Sequence, residues 1–377
     1  MRINFSKGTN FLAPPKLKLI NNYFLSCFMP WSLRFGSIFG IPVELHITFL
    51  LLLLIFSFFG VIPLIVIILL FVSVLIHELA HSLVGRHYGA KIKKITLLPI
   101  GGVSQMEAIP KSHEFAIAVI GPVTSIVIGI ALFFVGTLFG LEMYFDLNWV
   151  ELKSLSEILR TVMSLNFVLG AFNIIPAFPM DGGRVLRAFL SSKMDYLKAT
   201  ELSVRIGQSL AIVFAFVGVF YNPWLIIIAF FIYIGGMSEY QSTQMSSLLK
   251  GIKVKDLMTR DVITISPDAT MEEFENLLIE KRHKGYPVVF EDKVIGIITI
   301  NELLTVPRPK WIETKVSDVM IKDIIVASPD MEVFDLHTKF TEMNQGRAPV
   351  VENGKLIGFV TKTDILKFSD IISLKRI

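Results

Sequence analysis

The sequence predicts a polytopic α-helical membrane protein with about six transmembrane helices and a C-terminal α+β region. Hydrophobic residues make up 53% of its 377 residues and charged residues only 18%, a balance that soluble domains rarely have. Apolar segments near the roughly 20 residues that a helix needs to cross a bilayer recur up to about residue 240. From Lys250 onward the composition becomes that of a soluble domain, and one sequence pattern occurs twice.

Charge and cysteine content exclude several classes of protein. The net charge of +4 comes without a basic stripe, so nucleic acid is not an expected partner. The single Cys27 excludes an intramolecular disulfide and a thiolate zinc cluster. Residues 1–38 are expected to form an N-terminal cytoplasmic extension, because their short apolar stretch lacks the small-residue site of a cleaved signal peptide.

Residues 39–240 are predicted to form the membrane domain, with six apolar segments. The fourth segment is broken at Pro176 and Pro179, since proline lacks the N–H that a continuous helix needs. It resumes after this break and continues to Leu190. The six segments begin and end near 43–59, 61–85, 113–140, 158–190, 204–220 and 223–236.

Between the second and third segments, residues 91–107 lack helical character. They are rich in β-branched residues and contain the pair Gly101 and Gly102. We expect a strand or hairpin that dips into the membrane, where its backbone must be buried in protein or face a water-filled cavity. A packed structural loop is the alternative.

Positively charged residues predict the orientation of the spans. The basic N-terminal tail, the loop 86–111 and the loop with Lys193 and Lys198 all fall on one side of a six-span arrangement. The loop 141–152 on the other side is acidic. Because cytoplasmic loops carry the excess of Lys and Arg, both termini and the C-terminal region are expected to be cytoplasmic, in a multi-pass protein of the cell membrane.

The second apolar segment carries His77, Glu78 and His81. Two histidines four residues apart lie on one helix face and can reach one zinc ion, with the glutamate beside it. An ionisable group at membrane depth costs about 2.5–3.5 kcal/mol on insertion scales, so it is functional by default. The alternative is a pair of buried structural histidines.

A zinc site of this kind needs a third protein ligand and an open position for water. Asp181 is the best candidate, because it follows the proline break of the fourth segment, and broken helices supply ligands at membrane depth. Glu107 and Glu114 lie in or beside a polar loop and are weaker candidates.

The C-terminal domain, residues 241–377, contains the repeat, with copies at about 252–308 and 313–372. Both copies share the patterns V-x-D-[LV]-M, S-P-D, P-V-V and G-[IF]-[IV]-T. Each copy is predicted to form a strand, a helix, two strands and a helix. The two copies are expected to pack face to face, because one alone is small for a hydrophobic core.

The motif HELAH together with N-x2-P-x2-P-x-D-G-G resembles the site-2 protease family of intramembrane zinc metalloproteases. The chain is most similar to prokaryotic members that carry a C-terminal pair of CBS domains. The resemblance implies one zinc per chain, with His77, His81 and Asp181 as ligands and Glu78 as the catalytic base. It also implies that Asn173 holds the substrate backbone or the oxyanion, and the alternative for Asn173 is a helix-end cap.

The hairpin suggests how a substrate is held. A transmembrane helix resists proteolysis because its amides are already hydrogen-bonded, so the substrate must unwind locally. We expect the segment around Gly101 and Gly102 to accept the unwound chain by strand addition.

Paired CBS domains commonly bind adenine nucleotides, so ATP or AMP is expected as a regulatory ligand. Thr361 and Asp364 match the ribose-binding pattern G-h-h-T-x-x-D of that family. In the first copy Thr299 is present, but Glu302 replaces the aspartate. The alternative is a module without ligand that joins two chains into a homodimer.

The sequence thus favours a zinc-dependent protease that hydrolyses peptide bonds in or near transmembrane segments of single-span or membrane-anchored proteins within the lipid bilayer. A CBS-gated transporter is one alternative, although no inverted repeat is evident and the polar groups cluster as a metal site. A catalytically inactive membrane scaffold is the other, and the intact Glu78 argues against it.

Overall fold

The computed structural model describes residues 32–107, 111–146 and 154–375. The described residues separate into a membrane unit that ends at Gln244 and a C-terminal unit that begins at Met245. Most of the expected N-terminal extension, residues 1–31, lies outside the described residues. Its last seven residues, Ser32–Ile38, form a strand.

The membrane unit contains a four-stranded sheet in the order β1-β2-β3-β4. β2 pairs antiparallel with β1 and parallel with β3, and β3 pairs antiparallel with β4. The predicted hairpin within residues 91–107 is therefore present, and β4 lies at an edge of the sheet. The strands are β1 (Ser32–Ile38), β2 (Ile41–His46), β3 (Lys91–Leu98) and β4 (Gly101–Glu107).

The first predicted span differs from the structure. Its beginning belongs to β2, where Ile41 and Val43 alternate with more exposed positions, as a half-buried strand requires. The His46 side chain then accepts a hydrogen bond from the Thr48 backbone N–H and starts helix α1, Ile47–Phe58. With 12 residues, α1 is shorter than a membrane span.

Six further helices lie wholly or mostly in the described part of the membrane unit. All but α5 are long and apolar enough to cross a membrane. The fourth predicted segment is two helices, α4 and α5, because Pro176 and Pro179 interrupt it. The helices are α2 (Val61–His87), α3 (Glu114–Leu138), α4 (Leu155–Ile174), α5 (Asp181–Ser191), α6 (Tyr196–Phe220) and α7 (Trp224–Leu249).

Helix α2 buries polar residues and exposes apolar ones. Ser73, His77 and Ser82 are each at most 3% exposed, whereas Val72 is 48% exposed. In water this distribution would be unfavourable, but in a bilayer the outer face meets lipid and the polar groups face the bundle interior. The interior of the membrane unit is therefore where its chemistry lies.

The C-terminal unit is an α+β pair, in agreement with the prediction. Each copy has a two-stranded antiparallel sheet and its own core, centred on Phe274 in the first copy and Phe340 in the second. The predicted leading strand of each copy is reduced to a single bridge, Ile265 with Val288 and Ala327 with Val350.

The elements of the first copy are α8 (Met271–Lys281), β5 (Gly285–Phe290), β6 (Lys293–Thr299) and α9 (Ile300–Thr305). Those of the second are α10 (Val316–Val319), α11 (Val333–Glu342), β7 (Arg347–Glu352), β8 (Lys355–Thr361) and α12 (Lys362–Lys375).

Candidate functional site

Three ligand atoms converge between α2 and α5. His77 and His81 lie one turn apart on α2, and Asp181 is the first residue of α5. The Asp181 Oδ2 atom is 3.1 Å from His77 Nε2 and 3.0 Å from His81 Nε2, and the two Nε2 atoms are 3.2 Å apart. Among the described residues, these three form the one group of histidine and carboxylate ligands that is compact enough to hold a metal ion.

The arrangement fits zinc. Zinc bound at about 2.0–2.1 Å in a tetrahedral site separates its ligand atoms by about 3.3 Å, close to the separations seen here. The His81 Nδ1 atom lies 2.6 Å from the Ile117 carbonyl oxygen, which can only accept, so a neutral His81 ring presents its Nε2 lone pair to the centre. His77 Nδ1 is 3.0 Å from the Ser125 hydroxyl. Such outer partners orient metal-binding imidazoles.

One face of α3 packs directly against the two histidines. Ile117, Gly121 and Ser125 recur at intervals of four and therefore share that face. A Cβ atom at Gly121 would lie 2.1 Å from His81 Nε2 and 2.7 Å from His77 Nε2. These three residues were not predicted from the sequence, although their spacing within an apolar helix was a usable signal.

Glu78 points towards the edge strand. Its side chain is half-buried, and among the residues that the structure describes its carboxylate has no hydrogen-bond partner. A Cβ atom at Gly102 of β4 would lie 2.4 Å from Glu78 Cγ, so the strand backbone runs directly beside this glutamate. The Ser82 and Ser104 hydroxyls, 2.8 Å apart, join α2 to β4. A carboxylate free to move a proton thus lies beside the strand edge.

Gly101 and Asn173 lie at the ends of their elements. Gly101 starts β4 with φ +135°, a conformation that residues with a side chain rarely adopt. Asn173 is in the last turn of α4, and its Nδ2 donates to the Leu169 carbonyl oxygen at 3.0 Å. This bond stays within α4 and leaves the amide oxygen for another partner.

A buried ion cluster on α5 was also not predicted from the sequence. Arg187 donates to Glu114 on α3 and to Glu239 on α7. The arginine is only 4% exposed and Glu114 only 6%. Glu114 is therefore a buried ion-pair partner, and it is the first residue of α3.

The four predicted nucleotide-binding residues cap helices. Thr361 Oγ1 donates to Asp364 Oδ2 at 2.6 Å, and Thr299 Oγ1 donates to Glu302 Oε2 at 2.5 Å. The threonine backbone N–H groups donate to the same carboxylate oxygens. Each pair therefore fixes the start of its helix, which is the local reason for the repeated T-x-x-[DE] spacing.

Half-buried basic groups lie near these caps. Burial lowers the pKa of Arg347 and of Lys362. It also lowers the pKa of His337, with the Lys362 charge as a second cause. Within the described ranges, no carboxylate oxygen lies within 4.0 Å of the Arg347 or Lys362 side-chain nitrogens. An anion bound here would offset the burial of these cations.

Comparisons with known proteins agree with this geometry. Peptidase family M50 matches residues 65–214, and the CBS domain matches residues 254–308 and 316–370. A zinc metalloprotease of Methanocaldococcus jannaschii is 42% identical over 354 residues, which cover 92% of this chain and 99% of that protein. Rip3 of Mycobacterium tuberculosis is 28% identical over 326 residues, covering 82% of this chain and 81% of the relative.

Among solved structures, a site-2 protease from Methanocaldococcus jannaschii is 45% identical, with a TM-score of 0.44, and the match covers 56% of this chain and 95% of that one. The extent and identity of the sequence match to the metalloprotease decide the family. The chain belongs to peptidase family M50, the site-2 protease family of zinc metalloproteases, and carries a CBS domain pair.

Proposed function

We propose that the protein hydrolyses peptide bonds in or near transmembrane segments of single-span or membrane-anchored proteins. The observation that carries this proposal is the convergence of His77, His81 and Asp181, with the unpaired Glu78 beside an edge strand. Two neutral nitrogen ligands and one carboxylate are a ligand set typical of catalytic zinc.

His77, His81 and Asp181 would hold one zinc ion per chain. When bound, zinc lowers the pKa of a water molecule to about 7 and polarises a peptide carbonyl. The Glu78 carboxylate, next to the ligands on the same helix, takes a proton from the attacking water and returns it to the leaving amine. Asn173 lies at the end of α4, and its free amide oxygen suits a backbone N–H of the substrate.

The free edge of β4 is the proposed substrate-binding surface. An unwound substrate segment can pair with this edge through backbone hydrogen bonds, whatever its side chains. The bare backbone at Gly101 and Gly102 lets the paired segment lie close to Glu78. This arrangement supports cleavage of a locally unwound segment and not of an intact helix.

We further propose that both termini and the C-terminal unit are cytoplasmic and that the protein resides in the cell membrane, with β2 and α1 together making the first crossing in place of one long helix. The excess of Lys and Arg in the loops that precede α3 and α6 supports this orientation. ATP or AMP bound near Asp364, Thr361, Thr299 and Glu302 would regulate proteolysis, supported by the half-buried cations nearby. A homodimer through the CBS pair is part of the same proposal.

The test is Glu78→Gln in the purified full-length protein in detergent, with a single-span model substrate. The amide cannot take a proton at neutral pH, so we expect no cleavage while about one zinc per chain remains bound. Glu44→Gln on β2 serves as the matched control. The Glu44 carboxylate binds Lys94 and Ser32 and is not one of the proposed zinc ligands. Cleavage by Glu78→Gln at the wild-type rate, or a wild-type protein without zinc, would refute the proposal.

A further inference from the structure

Helix α5 presents Asp181 to the candidate metal site and has only three fully buried residues. It has 11 residues, and its buried residues are Gly182, Gly183 and Arg187. Two of these three have no side chain. A Cβ atom at Gly182 would lie 2.2 Å from the Ile175 carbonyl oxygen, so the helix rests on backbone there. Arg187 is therefore the one fully buried side chain of α5.

The guanidinium of Arg187 contacts two other helices. Its Nε atom donates to Glu114 Oε1 at 2.9 Å, and Nη2 donates to the same oxygen. Its Nη1 atom donates to Glu239 Oε1 at 2.6 Å. The guanidinium carbon also lies 4.9 Å from the centroids of the Phe178 and Tyr196 rings. A planar group with donors on two sides joins three helices in a way that an ammonium group cannot.

The helix that Arg187 binds is the one that orients the histidines. Glu114 opens α3, and Ile117 and Ser125 on that helix contact His81 and His77. Arg187 lies six residues, or about 9 Å along the axis, from Asp181. The distance between Asp181 and the imidazoles therefore depends on how α5 is fixed against α3.

Stability alone does not account for this cluster. Replacing a buried ion pair by apolar residues of similar volume is often neutral or stabilising, because desolvating the charges is costly. The three charged groups instead fix the orientation of α5 and its distance from α3 and α7. Hydrogen bonds from a guanidinium fork form only in one geometry.

We propose that Arg187 is a positioning residue, which holds α5 against α3 and α7 so that Asp181 completes the zinc site. This inference rests on the proposed function. Outer partners of metal ligands typically contribute 10- to 100-fold to metal affinity. Loss of the Arg187 fork should therefore weaken zinc binding even though the arginine lies on the far part of α5.

The experiment compares wild type, Arg187→Met and Arg187→Lys as full-length proteins in detergent. Zinc affinity is measured by competition with a chelator, and coordination geometry by the visible absorption of the cobalt-substituted protein. We expect Arg187→Met to bind zinc about 10- to 100-fold more weakly, with an altered cobalt spectrum. Arg187→Lys keeps the positive charge but lacks the planar set of donors. Its zinc affinity should lie between those of wild type and Arg187→Met.

Arg205→Met is the matched control, because the Arg205 side chain is 71% exposed and its ion pair with Glu201 stays within α6. Its zinc affinity should equal that of wild type. If Arg187→Met does not fold, the zinc affinity and cobalt spectrum of Arg187→Lys provide the test. Wild-type zinc affinity and cobalt spectrum in the folded arginine variants would overturn this inference alone, whereas a wild-type protein that binds no zinc would overturn the metal site itself.

Discussion

His81 illustrates how neighbouring backbone prepares a side chain for metal binding. Its Nδ1 atom faces the carbonyl oxygen of Ile117, and its Nε2 atom faces Asp181. A carbonyl can only accept a hydrogen bond, so the proton of a neutral ring must sit on Nδ1. The lone pair that a metal requires is thereby directed at the centre before any ion arrives.

Gly121→Ala should abolish zinc binding while leaving the protein folded in the membrane. The added Cβ atom would lie within 2.1 Å of His81 Nε2, so the ring must leave the site. The zinc content of the purified protein checks this. Gly129→Ala on the same helix is the control, because its Cβ atom meets only the Phe167 ring, at 3.1 Å. Full zinc content in Gly121→Ala would contradict the geometry described above.

At the scale of elements, the β3–β4 hairpin places polar backbone inside an apolar unit. The backbone groups on one edge of β4 are hydrogen-bonded to β3. The other edge of β4 has no partner strand among the described residues. Because unpaired backbone groups are costly where water is scarce, an added strand is favoured at that edge. We therefore expect an extended chain to pair with this edge, beside Glu78.

Val103→Pro in β4 should slow cleavage about tenfold or more without loss of zinc. Proline removes one N–H, and a lost hydrogen bond together with a distorted edge costs on the order of 1 kcal/mol or more. Cleavage rate and zinc content are measured together, with Val103→Ala as control for the lost side chain. Ser104→Pro extends the test, because neighbouring residues direct their N–H groups to opposite edges. Unchanged cleavage in both proline variants would exclude strand addition.

The elements also show what sequence patterns can reveal. The hairpin and the break at Pro176 and Pro179 were predictable because glycine, proline and β-branched residues act locally. The convergence of His77, His81 and Asp181 was predictable as well, since the two histidines share a helix face and the aspartate follows a break. The ion pairs of Arg187 were not predictable, because its partners are 73 and 52 residues away in the chain. Pairing over such distances depends on helix packing, which local patterns do not encode.

At the scale of the whole molecule, one chain combines a membrane unit that contains the candidate metal site with an α+β unit of two related copies. Both units have cores of their own. The short α1 shows the limit of hydropathy, because a strand and a 12-residue helix gave one continuous apolar signal. Alternation within residues 41–46 was the cue that separates them.

Binding of ATP or AMP should raise the Tm of the full-length protein in detergent. A ligand at 100 times its Kd stabilises the folded state by about 2.7 kcal/mol. Lys362→Met should reduce the shift, since removal of this half-buried cation removes a partner for phosphate. Lys322→Met, in the loop before the second copy's core, is a control that should retain the shift. Failure of every adenine nucleotide to change Tm would leave the pair as a module without this ligand.

The two buried glycines of α5, Gly182 and Gly183, affect how such a protein can evolve. One base change converts a glycine codon into an alanine codon. At Gly183 the added methyl group would lie 2.6 Å from the Phe178 backbone nitrogen, which cannot move aside like a flexible side chain. Because α5 is not among the helices long enough to cross the membrane, we expect the others to insert without it. Lineages can therefore lose proteolysis in a single step and still inherit an assembled membrane protein.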